Sequence, residues 1–398
     1  MSSNRFDMYR LQAGEQWPFF DEDEIDAVTD VLRSGKVNQW TGHLVKDFQQ
    51  AFTDYIGSGH GIALANGSLA IELALKAFGI GPGDEVIVTP RSFIASASSV
   101  SLVGAKPVFA DIDTDSGNIT PDTIAHTITE RTKAIIPVHL AGWPCDMVSI
   151  MELASKNNLK VIEDCAQSHG AMIGDRMVGS FGDAAAFSFC QDKIMTTGGE
   201  GGFTIFQDRD VWQWAWTFKD HGKNWDSVNT PPAKPGFRWL HDSIGTNWRM
   251  TEMQAAIGLK QLAKMSEWTR LRTRNAAIWA DALMGVAHVH VPTPSQGDRH
   301  AYYKFYLYLD PALPDVEQLR DLVLARSADA GLRVFSGSCS EVYLEGAFSD
   351  LSQKTLINAH TMGRNSLMVE VHPTLNPENL KIRANRFKQI LQETLKGL

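Results

Sequence analysis

Between residues 68 and 206, short apolar runs alternate with segments whose apolar residues recur at helical spacing. The runs predict buried strands at Glu85–Thr89, Pro107–Asp111, Ala134–Val138, Lys160–Glu163 and Ala184–Phe189. The segments between them predict helices, including Leu69–Phe78, Ile94–Leu102 and Val148–Lys156. This alternation is typical of βαβ units, so the sequence predicts the α/β class, with a mainly parallel sheet covered by helices on both faces.

The rest of the chain predicts a second, smaller unit. Residues 220–246 are rich in Gly, Pro, Asn, Asp and Trp and predict a long irregular segment, which in a compact protein is usually functional or interfacial. Thr251–Leu283 predicts one long helix that bridges to the second domain. Further elements are predicted at Tyr302–Leu309 (strand), Val316–Ala330 (helix) and after Pro377 (helix). We therefore predict a large domain over 1–262 and a small C-terminal domain over 263–398.

Composition and charge narrow the class of protein. The 398-residue chain is 43% hydrophobic and 21% charged, and its net charge of −9 is dispersed. These values are typical of a soluble globular protein and argue against nucleic acid or a membrane as a partner. Because no apolar run reaches membrane-spanning length and the first residues contain no signal-peptide core, we expect a cytoplasmic protein. The four cysteines lack C-x-x-C spacing, and no metal site is expected.

Lys193 is the first candidate for chemistry. It follows the small, apolar strand Ala184–Phe189 and precedes the glycine-rich turn Gly198–Gly202, which would let a bulky group approach the backbone. An amine in that position can condense with an aldehyde and carry protons. Most lysines lie on the surface, which is the simpler interpretation. The position after a buried strand favours Lys193 over Lys219 and Lys223 in the long irregular segment.

Asp164 is the second candidate, at the end of the preceding apolar strand. A buried carboxylate there is able to hold a proton on the ring nitrogen of pyridoxal phosphate (PLP), and Gln167 is close enough in sequence to reach the ring oxygen. The simpler interpretation is a helix N-cap, and Asp111 is a competitor with a similar local context. A reactive lysine and an acid for the ring nitrogen are the two protein groups that PLP chemistry needs most.

Other turns predict contacts to the cofactor. The backbone of Gly67 and Ser68, where a strand passes into a helix, predicts a phosphate site with Ser188 adding a hydroxyl, although Asn-Gly-Ser is also ordinary turn chemistry. Phe93 is either a core residue or a ring stacked on the pyridine. Asn247 and Arg249 precede the long helix, as cap residues or as ligands of a phosphate or carboxylate. No Walker loop or G-x-G-x-x-G motif supports a nucleotide site.

With these motifs in hand, the chain resembles the DegT/DnrJ/EryC1/StrS family of PLP-dependent sugar aminotransferases. The resemblance covers almost the whole length and rests on the motifs around Asn66–Ser68, Pro90–Phe93, Pro107–Asp113, Glu163–Ala171, Ser188–Lys193, Gly199–Gly202 and Asn247–Gly258. It implies the PLP fold type I, with Lys193 bonded to the cofactor and Asp164 on its ring nitrogen. It also implies Gln167 near the ring oxygen, Phe93 on the ring face, and Ser68 and Ser188 on the phosphate. Asn247 would reach the phosphate of a neighbouring subunit in an obligate homodimer.

A finer resemblance concerns the substrates. The segments Ser188–Thr197, Phe335–Glu341 and Val371–Thr374 look most like the branch that makes 8-amino-3,8-dideoxy-manno-octulosonate for lipopolysaccharide. That branch moves an amino group from L-glutamate to the C8 aldehyde of oxidised 3-deoxy-manno-octulosonate (Kdo). The candidates for substrate contact are Arg249, His372 and, more weakly, Ser336. Cys190 and Trp143 depart from the commoner family pattern. The alternatives are an aminotransferase for a nucleotide-linked keto sugar and a non-catalytic PLP-binding regulator.

Overall fold

The computed structural model describes residues 15–231, 236–351 and 353–397. Its helices are α1 Glu22–Ser34, α2 Leu44–Ile56, α3 Gly67–Ala77, α4 Ala95–Leu102, α5 Pro121–Ala125, α6 Met147–Lys156, α7 Arg209–Lys219, α8 Trp225–Asn229, α9 Glu252–Leu283, α10 Val316–Asp329, α11 Ile357–Asn365 and α12 Pro377–Thr394. Its strands are β1 His60–Leu64, β2 Glu85–Val88, β3 Lys106–Phe109, β4 Thr132–Ile136, β5 Lys160–Asp164, β6 Met172–Ile173, β7 Arg176–Met177, β8 Ala184–Ser188, β9 Gly202–Phe206, β10 Val289–His290, β11 Asp298–Arg299, β12 Phe305–Leu309, β13 Val334–Phe335 and β14 Ser366–Val369.

A seven-stranded sheet forms the centre of the larger unit, in the order β1-β9-β8-β5-β4-β2-β3. The pairs from β8 to β3 are parallel, whereas β9 runs antiparallel to both of its neighbours. Helix α3 packs with β8 and β9 on one face, and α2 packs against β1. The parallel strands are mostly buried, which is why the sequence shows them as apolar runs. The predicted α/β class with a mainly parallel sheet is confirmed.

A four-stranded antiparallel sheet in the order β10-β12-β14-β13 forms the smaller unit. The sheet and helices α10 and α12 share a separate apolar core, which includes Leu307, Val323, Leu367 and Phe387. A further small sheet, β11-β6-β7, brings residues 298–299 back to the larger unit. Among the described residues, the core of the smaller unit therefore comes from the range 276–395.

Helix α9 joins the two units. Thr251 caps it by accepting from the backbone N–H of Gln254 at 3.3 Å, and the Gln254 side chain accepts from Thr251 N–H at 2.8 Å. Ala255 and Met265 pack in the core of the larger unit, and Trp279 packs in that of the smaller one. The predicted division at 262/263 falls inside this continuous helix. Residues 1–14 of the predicted large domain and residue 398 of the predicted small domain lie outside the described ranges. The division stays a prediction.

One strand boundary differs from the sequence prediction for a local reason. The strand predicted from Tyr302 begins at Phe305, because Tyr302 has a φ of +49° and the N–H of Tyr303 bonds to Ala141 O at 2.8 Å. The described parts of the segment 220–246, residues 220–231 and 236–246, are irregular, as predicted, apart from α8. Among the described residues, none of the helices combines the length and the apolar character needed to cross a bilayer.

Candidate active site

Several predicted residues meet at one edge of the central sheet. Asp164 ends β5 and Ser188 ends β8, and these neighbouring strands are parallel with Asp164 opposite Ala186. Lys193 follows β8 after a short loop, and Phe93 follows the parallel strand β2. Because the carboxyl ends of parallel strands meet at the same edge, the sheet brings these groups together, as ligand sites in such sheets require.

Asp164 is a buried acid held by two hydrogen bonds. Its Oδ2 accepts from Ser96 Oγ at 2.7 Å, and its Oδ1 accepts from the N–H of Ala166 at 3.1 Å. Burial raises the pKa of Asp164, against the opposing effects of these bonds and of the charges of Lys193 and His139. The influence of Lys193 places both groups in one electrostatic environment. A buried carboxylate with an elevated pKa is poised to share a proton with a ring nitrogen.

Asp111, the competing carboxylate, is bonded to a helix of the smaller unit. Its Oδ1 accepts from the N–H of Ala359 and its Oδ2 from the N–H of Asn358, both at 3.0 Å. These amides belong to the first turn of α11, so Asp111 caps a helix of the smaller unit. The geometry thus separates two aspartates that the sequence left as alternatives.

Lys193 is positioned by residues that the sequence did not identify. Its Nζ lies 3.6 Å from Asp192 Oδ1 and 5.0 Å from the centre of the Tyr303 ring. The hydroxyl of Tyr303 donates to the other oxygen of Asp192. Burial works to raise the pKa of Asp192, but the charge of Lys193 and the bond from Tyr303 hold it below its usual value. Trp17 Nε1 donates to the carbonyl of Lys193 at 2.9 Å, a contact over 176 residues of sequence.

The predicted phosphate cradle is a tight contact between α3 and β8. A Cβ atom on Gly67 would lie 2.6 Å from Ser188 Cβ, so no other residue fits there without displacement. Asn66 caps α3 by accepting from the N–H of Leu69 at 3.0 Å, and Ser68 is exposed on the first turn. A helix N-terminus beside a serine hydroxyl suits an anion.

Gln167 and Phe93 have contrasting environments. Gln167 is buried, and its Oε1 accepts from the N–H of Ala141 at 2.7 Å. This bond fixes the amide plane, so that the NH₂ group remains available as a donor. Phe93 is 67% exposed in a single chain and is not a core residue.

Asn247 and Arg249 lie beside the cradle. Leu64 and Arg249 form a β-bridge, and the N–H of Ala65 donates to Trp248 O at 3.0 Å. The Arg249 guanidinium pairs with buried Asp220 at 2.7 Å, whereas Asn247 is exposed.

The two alternative lysines, Lys219 and Lys223, pair with Asp220, as Arg249 does. Lys219 lies 3.5 Å and Lys223 3.0 Å from Asp220. Burial lowers the pKa of Lys219 to about 8. Both lysines are therefore committed to this carboxylate, which leaves Lys193 as the lysine at the strand edge beside Asp164.

The other two substrate candidates lie in the smaller unit. His372 is stacked on Trp17, with ring centres 6.2 Å apart, and its Nδ1 lies 2.9 Å from Thr374 Oγ1. Burial, followed by the charge of Arg272, lowers the pKa of His372 to about 2, so the ring is neutral at physiological pH. Ser336 lines an open pocket together with Arg320 and Gly363. Contact of His372, Ser336 or Arg249 with substrate stays a prediction.

One buried trio has the geometry of metal ligands, but the ligand atoms of two of its members, His139 and Glu163, are already engaged in hydrogen bonds. His139, Glu163 and Cys165 place their ligand atoms within 4.8 Å of one another. Glu163 accepts from His139 Nε2 at 3.1 Å and from the N–H of Gly179 at 2.8 Å. His139 Nδ1 accepts from the N–H of Cys145 at 3.0 Å. These bonds brace the strand that carries Asp164.

Comparison with known proteins agrees with this geometry. A model of the DegT/DnrJ/EryC1/StrS aminotransferase family matches residues 18–385. The chain belongs to this family. GDP-perosamine synthase of Caulobacter vibrioides is 39% identical over 297 residues, 74% of this chain and 77% of that protein.

Solved structures show the same fold. The aminotransferase of Psychrobacter cryohalolentis is 48% identical with a TM-score of 0.89, covering 95% of this chain and 98% of its own. The PLP form of Spr1654 from Streptococcus pneumoniae has a TM-score of 0.87 at 24% identity, a likeness of fold that covers 97% and 100% of the two chains. The predictions of the family, of the PLP fold type I, of an enzyme of the sugar-aminotransferase class and of PLP as cofactor are confirmed.

The described residues fit PLP. Asp164 offers a buried acid, Lys193 an amine that is 15% exposed, and the Gly67–Ser188 contact a cradle at a helix N-terminus. Gln167 offers an amide donor whose carbonyl is fixed. The individual contacts to the cofactor remain predictions.

Proposed function

We propose that the protein transfers an amino group from L-glutamate to the C8 aldehyde of oxidised Kdo, giving 8-amino-3,8-dideoxy-manno-octulosonate. The observation that supports aminotransfer is the meeting of Lys193 and Asp164 at the ends of neighbouring parallel strands. When bound, PLP supplies an aldehyde that condenses with amines and a ring that withdraws electrons. The substrates are water-soluble small molecules, which suits the expected cytoplasmic location.

Each residue has a separate task in this proposal. Asp164 holds a proton on the ring nitrogen, and its own burial keeps that proton from solvent. Gln167 donates its amide N–H to the ring oxygen, and Phe93 packs on the ring face. Gly67, Ser68 and Ser188 bind the phosphate. These contacts orient the cofactor so that a single lysine serves both half-reactions.

Lys193 moves the proton. Its Nζ takes the proton from Cα of the donor in the first half-reaction and returns one to the acceptor carbon in the second. Asp192 draws the ammonium toward Tyr303, and Trp17 fixes the backbone of Lys193. Asp192 therefore sets the resting position of the Lys193 amine. Ping-pong kinetics follow because one site serves both substrates in turn.

The acceptor has two candidates. The free acidic sugar is favoured by the motifs around Ser188–Thr197, Phe335–Glu341 and Val371–Thr374. A nucleotide-linked keto sugar as acceptor is favoured by the similarity to the GDP-perosamine synthase, whose name specifies a GDP-linked product. The first candidate predicts that nucleoside diphosphates do not compete with the sugar, whereas the second predicts tight binding of a nucleoside diphosphate.

We also propose a homodimer with shared sites. Asn247 is exposed, and the segment before it exposes 81% of Phe237, 85% of Trp239 and 92% of Ile244. Apolar side chains exposed to this extent in one segment indicate a protein interface. Mixing the inactive variants Lys193→Ala and Asn247→Ala should restore partial activity, because hybrid dimers contain one intact site. No recovery after subunit exchange would contradict shared sites.

An absorbance experiment tests the function. Glutamate should bleach the visible band of the PLP-loaded protein, and oxidised Kdo aldehyde should restore it. Restoration by a nucleotide-linked keto sugar but not by the octulosonate would move the function to the second candidate. Bleaching by another amino acid but not by glutamate would change the donor. No bleaching by any amino donor would favour the non-catalytic alternative.

A further inference from the structure

Tyr303 reaches the candidate active site from a part of the chain that is 111 residues beyond Asp192. It precedes β12 of the smaller sheet, yet it belongs to the core of the larger unit that includes Phe189 and Met195. Its hydroxyl donates to one oxygen of Asp192, and the other oxygen of that carboxylate lies 3.6 Å from Lys193 Nζ. The same Nζ lies 5.0 Å from the centre of the Tyr303 ring. Tyr303 therefore lies against both members of the Asp192–Lys193 pair.

Asp192 is poorly suited to fix the amine of Lys193 without help. The Asp192 side chain is 56% exposed, whereas that of Lys193 is 15% exposed. An ion pair with an exposed carboxylate contributes little, because water screens the charges and the side chain loses rotational freedom in forming it. Tyr303 is buried and rotates about few bonds, so its hydroxyl holds the carboxylate at a small cost in entropy. A hydrogen bond to a charged acceptor is also stronger than one between neutral groups.

The backbone of Tyr303 is held from two sides. Its N–H donates to Ala141 O at 2.8 Å, and its carbonyl accepts from Arg272 Nη1 at 3.4 Å. Ala141 at a φ of +55° and Tyr302 at a φ of +49° are both left-handed, a conformation that is costly for residues other than glycine. The surrounding structure therefore imposes the backbone position from which the Tyr303 side chain extends.

Ala141 links Tyr303 to the residue assigned to the ring oxygen of the cofactor. The N–H of Ala141 donates to Gln167 Oε1 at 2.7 Å, while its carbonyl accepts from the N–H of Tyr303. One residue of the larger unit thus orients Gln167 directly and the amine of Lys193 through Tyr303 and Asp192.

A second cation near the Tyr303 ring is paired with another carboxylate. Lys304 Nζ lies 5.2 Å from the centre of that ring and 3.9 Å from Glu370. The two lysines beside Tyr303 therefore have separate acidic partners, and the partner of Lys193 is the one that the tyrosine hydroxyl holds.

We propose that Tyr303 is a positioning residue for aminotransfer: through Asp192, it returns the Lys193 amine to one place whenever that amine is not bonded to the cofactor. The inference rests on the proposed function, in which the same amine removes one proton and delivers another. An amine that rests at one place meets the reacting carbon of the donor and of the acceptor in the same geometry. Without the hydroxyl, the exposed carboxylate rotates and the amine spends part of its time out of reach.

A double-mutant cycle tests whether Tyr303 acts through Asp192. Tyr303→Phe removes the hydroxyl and keeps the ring, and Asp192→Ala removes the carboxylate. In the PLP-loaded protein, we expect either change to slow bleaching at saturating L-glutamate about 10- to 100-fold, because the amine is misplaced. The glutamate concentration that gives half the maximal rate should change less than about 3-fold, since binding is not affected. The double variant should be no slower than Asp192→Ala, because the hydroxyl has no task once the carboxylate is gone.

A second readout needs neither substrate nor cofactor. Trinitrobenzenesulfonate reacts with lysine amines, and mass spectrometry of peptides measures how fast Lys193 is labelled in the PLP-free protein. Pairing with Asp192 holds the amine in place and slows its encounter with the reagent. We expect labelling to be about 2- to 5-fold faster in Tyr303→Phe and in Asp192→Ala, with no further gain in the double variant. Lys160, an exposed lysine paired with Asp183, is the reference in each sample.

Tyr343→Phe is the matched control. Tyr343 is buried and its hydroxyl donates to Glu341, so this change also removes a hydroxyl that is bonded to a carboxylate. The Tyr343 ring packs on Phe109 and Phe348. We expect Tyr343→Phe to be bleached and labelled at the wild-type rates. Thermal unfolding compares its stability with that of Tyr303→Phe.

Two results would overturn the inference. One is bleaching and labelling of the folded variants at wild-type rates, in which case a loss of stability alone would assign the Tyr303 bond to the packing of the two units. The other is a double variant in which the losses from Tyr303→Phe and Asp192→Ala add. The proposed function fails separately, when the wild-type protein is bleached by no amino donor. Labelling of the PLP-free protein then still shows whether Tyr303 positions the amine.

Discussion

The paired wall of the candidate site, which carries Asp164 and Lys193, differs from the environment of Arg91. The paired wall consists of neighbouring strand ends of one sheet, and its polar groups are paired within the chain. The guanidinium of Arg91 lies against the rings of Tyr306 and Tyr308 of the smaller unit and is unpaired among the described residues. Pairing within the chain holds the groups of the paired wall in place for a bound cofactor, whereas Arg91 is held by ring contacts alone.

Among changes to the paired wall, loss of the reactive amine should have the largest effect on the rate of aminotransfer. Lys193→Ala should lower the rate of aminotransfer by about 10⁴-fold or more, because the variant lacks both the amine and the proton carrier. Single-turnover absorbance with glutamate measures this, with Lys160→Ala as a control, since Lys160 is a surface residue paired with Asp183. Turnover near the wild-type rate would refute the assignment.

The two strand-end aspartates should respond differently. Asp164→Asn should slow the first half-reaction by about 10²- to 10³-fold and weaken PLP binding, because the amide cannot hold the ring proton. Asp111→Ala should leave the saturated rate unchanged but destabilise the protein by about 1–2 kcal/mol through loss of the α11 cap. Exchanged phenotypes would transfer the cofactor role to Asp111.

The cradle should be sensitive to one methyl group. Gly67→Ala should cost about 1–3 kcal/mol and lower the affinity for PLP, because the new Cβ would overlap Ser188. Thermal unfolding and PLP titration measure both effects. Gly81→Ala is the matched control, since its Cβ would meet only Val103 O, at 3.7 Å. A stable Gly67→Ala variant with normal PLP affinity would contradict the expected overlap between residue 67 and Ser188.

A smaller effect concerns pH and the histidines around the site. Burial lowers the pKa of His169 and His300 to about 3, and that of His372 to about 2. The folded protein keeps these rings neutral, whereas the unfolded chain protonates them near pH 6.5. Stability should therefore fall as the pH drops below about 6.5, by about 1.4 kcal/mol per pH unit for each ring.

Unfolding of the PLP-free protein by denaturant between pH 6.5 and 4.5 measures this slope. His169→Leu should lower this slope by the contribution of one ring, about 1.4 kcal/mol per pH unit. That ring is buried among Phe52, Phe187 and Phe189. Exposed His126→Gln is the control. A slope unchanged by His169→Leu would contradict a neutral buried ring.

The sequence predicts the paired wall well because its signals are local. Asp164, Ser188 and Lys193 each lie within a few residues of a strand that is visible as an apolar run. The contact of Arg91 with Tyr306 is different, since the two residues are distant in sequence and no periodicity connects them. The contact of Trp17 with Lys193 spans 176 residues and is equally invisible. His372 was chosen as a polar residue in a motif, and burial makes it neutral.

The most direct test of the central claim is a stopped-flow absorbance measurement of PLP-loaded wild type and Lys193→Ala with ordinary and α-deuterated L-glutamate. We predict that wild type is bleached in a single turnover, more slowly with the deuterated donor, because Lys193 removes the α-proton. Lys193→Ala should bind PLP and stay unbleached. Bleaching of the variant at the wild-type rate would show that Lys193 does not carry the proton.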